Sequence, residues 1–99
     1  MDATHQLSWI PDSFTELYRG QGGRLVVLLE ELRARYELCE DLAQQLVPAA
    51  QAVRHDDGLT EDDVLDRMEL ALSSPDSGLR EDEARWVVRR LDELLGWHR

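Results

Sequence analysis

The chain has 99 residues, with 21 carboxylate side chains against 11 basic ones, a formal charge of −10. That balance repels phosphate backbones and anionic lipid, so direct nucleic-acid and membrane-surface binding are disfavoured. A chain this short holds one modest core and buries only about two-thirds of its unfolded surface, so a partner that covers more of it would add stability.

Met1 to Ser8 show no periodicity and are expected to fray. From Trp9 the segment Trp9-Ile10-Pro11-Asp12-Ser13-Phe14 leads into Phe14, Leu17 and Tyr18, one face of two helical turns. A short first helix over about 12–19 is expected, with its Phe14 and Leu17 side on the next helix. Gly20, Gly22 and Gly23 end it.

A helix over about 24–55 follows. Its apolar and small residues fall at Leu25, Leu29, Leu32, Tyr36, Cys39, Ala43, Leu46, Ala50 and Val53, steps that alternate between four and three, the seam of one helix lying along another. Leu28, Leu38 and Leu42 form a second row beside it, so the face can touch two neighbours. Pro48 removes a hydrogen bond and clashes with the carbonyl of Gln44, at about 3 kcal/mol. Because the pattern continues through Ala50 and Val53, a kink is expected in preference to a break into two helices. The seam is longer than the helices left to cover it, which predicts a partner or a dimer along Leu25, Leu29, Leu32 and Tyr36.

His55-Asp56-Asp57-Gly58 reads as a turn, and Thr60 as the cap of a third helix over about 60–73, with Leu59 closing on Val64 as a staple. Glu61, Asp62 and Asp63 suit the positive end of its dipole. Ser74 to Gly78 is a loop by composition. The run from Gly78 to Ala84 then repeats the Gly58 to Val64 pattern twenty residues on, with Arg80 in place of the better cap Thr60. The last helix, about 81–95, is expected to bury Ala84, Val87, Val88, Leu91, Leu94 and Leu95. Gly96 then allows Trp97 to fold back near Leu91.

Chemistry is hard to place on this chain. All 11 basic residues are arginine, so the lysine that a P-loop needs is missing. His5, His55 and His98 are scattered, Cys39 has no second cysteine, and the EF-hand spacing before Gly58 fails at Val53 and His55. Cys39 therefore reads as a small buried hydrophobe. Glu37, Glu40 and Asp41 lie beside the seam, where helix carboxylates are usually a solvated face. Neither catalysis nor a metal nor a cofactor is expected. No apolar run approaches the roughly twenty residues that cross a bilayer, and the start lacks a basic-then-apolar signal, so a cytoplasmic protein is expected.

Two charged features remain. Asp56, Asp57, Glu61, Asp62, Asp63 and Asp66 make an acidic corner, and Arg80, Arg85, Arg89 and Arg90 dominate one side of the last helix. Dipole complementarity and pairs such as Glu81 with Arg85 and Arg89 with Glu93 account for them as surface. The sharper reading makes Arg85, Trp86, Arg89 and Arg90 a partner contact. Trp86 falls off the core stripe, so it is either an exposed anchor or a side chain buried by a second flank. Trp9 and Trp97 are expected to plug the core at its ends.

At Ile10-Pro11-Asp12-Ser13-Phe14, at RYELCEDLAQ from Arg35 to Gln44 and at WVVRRLDELLGW from Trp86 to Trp97, the chain resembles a family of small proteobacterial proteins often labelled "ATPase with chaperone activity". The resemblance covers most of the chain and implies a companion of a chaperone or AAA+ machine. Without a lysine, the ATPase part does not carry over.

The fold expected is all-α, one domain of three or four helices around a long, Pro48-kinked one. The function expected is a non-catalytic adaptor or regulator that binds a protein and forms a homodimer through the long helix. The alternative is an acidic nucleic-acid mimic that occupies a basic groove. A helix-turn-helix DNA binder over Leu59 to Leu95 ranks last on charge.

Overall fold

The computed structural model describes residues 9–97 of the chain. Met1 to Ser8, expected to fray, lie outside the described residues, as does His98. Among the described residues the protein is all-α, with short 3-10 turns and one isolated β-bridge. The chain forms two compact units, Met1–Leu38 and Cys39–Arg99.

In the N-terminal unit, α1 is only Asp12–Thr15, and a 3-10 turn, Glu16–Tyr18, continues it. Pro11 fixes its entry, and the carbonyl of Pro11 accepts from the amides of Phe14 and Thr15. Phe14 and Tyr18 are buried, with their rings 5.8 Å apart. The helix stops before Arg19 because Tyr18 to Gly20 pair with Arg24 to Val26. The amide of Gly20 donates to the Arg24 carbonyl at 2.7 Å, that of Val26 donates to the Tyr18 carbonyl at 2.8 Å, and Arg19 and Leu25 form an antiparallel bridge.

That pairing overturns the expected start of the long helix. α2 runs Leu29–Asp57, so it begins five residues later than the seam spacing predicts. Gly22 and Gly23 hold φ of 78° and 77°, which turns the chain back on itself. The β-branched pair Val26-Val27 prefers extended backbone to a first helical turn. Leu25 therefore sits on a short extended pair and is no part of the helix. Its spacing fits the seam, and its backbone does not.

α2 has 29 residues and Pro48 lies inside it. At about 1.5 Å per residue it is about 44 Å long. Pro48 and Gln44 are both exposed, so the carbonyl left without its helical donor faces water. The proline therefore costs too little to end the helix.

The C-terminal unit contains the remainder of α2, then α3 (Glu61–Leu72) and α4 (Glu81–Leu95). The Thr60 hydroxyl accepts from the Asp63 amide at 3.1 Å, the cap that the sequence indicates. α4 lacks such a cap, because a guanidinium cannot accept. Instead the buried Glu83 carboxylate accepts from the Arg80 amide at 2.9 Å. α4 ends at Gly96, with φ of 71°, and the Trp97 amide reaches back to the Asp92 carbonyl.

Ala50, Val64, Leu65, Val88 and Leu91 form the core of this unit, with Leu46, Val53, Leu59, Met68, Leu72, Leu95 and Trp97 packed around it. All three helical segments contribute to it.

Candidate interaction surfaces

The sequence places a contact along Leu25, Leu29, Leu32 and Tyr36. Of these, Leu32 is fully buried within the chain, and Leu29, Leu25 and Tyr36 are half-buried. Tyr36 meets the rings of Trp9 and Phe14 edge-on, each at 5.5 Å. Further along α2, Cys39, Ala43 and Ala50 are also fully buried. The ridge is thus largely sheltered by its own chain, and Leu32 is closed to any second molecule.

The second row is where apolar surface remains. Leu28 is 77% exposed and Leu38 46%, and the N-terminal unit adds Val26 at 63% and Trp9 at 47%. Trp9 is therefore no plug: its ring leans edge-on against Tyr36 and its other side faces out. A recess of about 210 Å³ lies beside it, lined by Trp9, Ile10, Leu29, Glu30 and Arg33. Large apolar side chains left exposed in one compact unit are candidates for an interaction surface.

On α4 the four residues singled out separate into different roles. Trp86 is 7% exposed and so is not an anchor on the surface. At about 100° per residue, Trp86, Val87, Ala84 and Val88 sweep more than half of the circumference. A helix buried over so wide an arc is covered from two sides, and that hides a tryptophan lying off the centre of the stripe. Arg90 is committed internally: its Nε and Nη2 reach the two oxygens of Glu40 at 2.9 and 3.1 Å, and Nη1 reaches Glu93 at 3.3 Å.

Burial pushes the Glu40 carboxyl up, but hydrogen bonds from Arg90 and Gln44 and the charge of Arg90 outweigh it and hold the group below its ordinary range. Glu40 is a structural clamp between α2 and α4 in the C-terminal unit. Neighbouring Glu37 and Asp41 face solvent.

Arg85 and Arg89 are exposed and line one groove of about 260 Å³ with Glu69, Val88 and Asp92. The expected pairs of Arg85 with Glu81 and of Arg89 with Glu93 do not form among the described residues, and Glu93 turns to Arg90 instead. At the acidic corner Asp56, Asp57, Asp62, Asp63 and Asp66 are exposed, while Glu61 lies 3.8 Å from Arg54. The Arg54 guanidinium sits 5.9 Å from the Trp97 ring. No group of three or more metal-ligating side chains occurs among the described residues, and no helix there is long and apolar enough to cross a membrane.

No family model matches the chain, and no curated protein or solved structure matches it significantly.

Proposed function

We propose that the chain is a non-catalytic protein-interaction module, an adaptor or regulator of a larger cytoplasmic protein, which docks through the N-terminal unit and also self-associates. One observation carries this reading: Trp9, Val26, Leu28 and Leu38, four large apolar side chains within thirty residues, are exposed. Leaving them in water forgoes about 25 cal/mol per Å² of burial, and a bound protein surface recovers it. A chaperone or AAA+ machine is the partner that the family resemblance implies. Affinity capture from the source cell tests the reading. The wild type should retain a specific protein, and a Val26→Asp, Leu28→Asp double variant of unchanged helicity should lose it. Equal capture by both would sink it.

The acidic mimic stays as the second reading because five carboxylates of the corner face solvent. Arg54 beside Glu61 counts against it. A mimic should be released from its partner by salt, whereas apolar docking should not.

A further inference from the structure

We propose that the groove between α3 and α4 is a self-association surface whose occupant is the same groove of a second copy of this chain. Arg85 and Arg89 stand one turn apart on α4, both exposed, and neither forms an ion pair or side-chain hydrogen bond among the described residues. That is unusual on a chain with ten more carboxylates than basic groups. The carboxylates in helical reach are Asp82, which pairs with Arg80, and Glu93, which pairs with Arg90, together with Glu81 and Asp92. On α3, Glu69 lines the same groove, and its side chain is likewise without an ionic partner.

A two-fold interface is isologous, so a patch must complement itself. This one does: the α4 lip bears two guanidiniums beside the single carboxylate of Asp92, a net positive edge, and the α3 lip bears the Glu69 carboxylate. When two such grooves face each other about a two-fold axis, Arg85 and Arg89 of one copy meet Glu69 of the other, and the reverse contact follows from symmetry. A purely acidic partner fits less well, because Glu69 and Asp92 flank the arginines and repel it. The patch is small, so the dimer is a weak one.

This inference rests on the self-association part of the proposal above and not on docking by the N-terminal unit, from which its test is separate. Sedimentation velocity is run on the wild type, on Arg85→Glu with Arg89→Glu, on Glu69→Arg, and on an equimolar mixture of the two variants. All sit on exposed or half-exposed side chains, and circular dichroism verifies their helicity. The wild type should dimerise, and dimerisation should weaken between about 50 and 500 mM salt. Each variant alone should lose at least about tenfold in affinity, since the arginine reversal leaves its patch with carboxylates alone and Glu69→Arg sets a third cation against the arginines with Asp92 as the one carboxylate left. The mixture should recover it as a heterodimer. A wild type that stays monomeric overturns the proposal, as does a dimer indifferent to both reversals or a mixture that fails to recover. Binding of a fluorescent glutamate-rich peptide by a monomeric wild type would reassign the groove to an acidic partner. Loss of partner capture by the Val26, Leu28 variant with its dimer intact would leave this proposal standing.

Discussion

The N-terminal unit and the C-terminal unit satisfy their apolar residues in different ways. The C-terminal unit brings three helical segments onto one aliphatic cluster, and Leu70 is the one large hydrophobic it exposes among the described residues. The N-terminal unit has one turn of α-helix, 3-10 turns, a short extended pair and the start of α2. It buries Ile10, Phe14, Tyr18 and Leu32 but leaves four large hydrophobics outside. Short elements offer too little face to enclose both sides of their side chains. Aromatic edge contacts around Tyr36 hold that unit together where the other relies on interdigitated aliphatic packing.

Substitutions can break this contrast. Trp86→Ala should be the most damaging, at about 3–5 kcal/mol, because a buried indole leaves a large void; chemical denaturation measures it, and a loss under about 1 kcal/mol would return Trp86 to the surface. Leu65→Ala and Leu91→Ala should each cost about 2–5 kcal/mol, whereas Leu28→Ala in the other unit should stay within about 0.5 kcal/mol. If Leu28→Ala cost as much as Leu65→Ala, the contrast between the units would collapse. Thr60→Ala should cost about 1 kcal/mol through loss of the α3 cap, measured by the same denaturation curves.

Glu40→Gln has a small effect and a distinctive pH signature. The folded-state pKa of Glu40 lies below its unfolded value, so its contribution is fully present above about pH 4.3 and is lost as the pH falls through the folded-state value. At neutral pH the variant should lose about 1 kcal/mol or less, since the pair is only partly buried. Wild type and variant should converge in thermal melts taken at progressively lower pH below about 4.3. Curves that stay parallel down to pH 3 would remove the ion pair as the cause.

How much was legible in the sequence depends on whether a residue's fate is local. Thr60, Gly96 and the bounds of α4 follow from capping chemistry within one helical turn, and the structure shows them where the spacing puts them. Leu25 looked like a seam residue because periodicity sees side chains and is blind to the backbone pairing of Arg24 to Val26 with Tyr18 to Gly20. Arg90 looked like one more surface arginine, yet its partner Glu40 stands fifty residues away, a separation that no local pattern encodes.

The amino-acid order alone determined the helical class, the last two helices with their termini, and a charge that disfavours nucleic acid. Those rest on 3.6-residue periodicity, capping groups and summed charge, which are properties of neighbours in the chain. Only the tertiary structure decided that Leu32 and Trp86 are closed to solvent, that Leu28 and Val26 are open to it, and that Arg85 and Arg89 stand without an ionic partner among the described residues. Burial is a matter of which distant segments arrive at a face, and that is settled by packing.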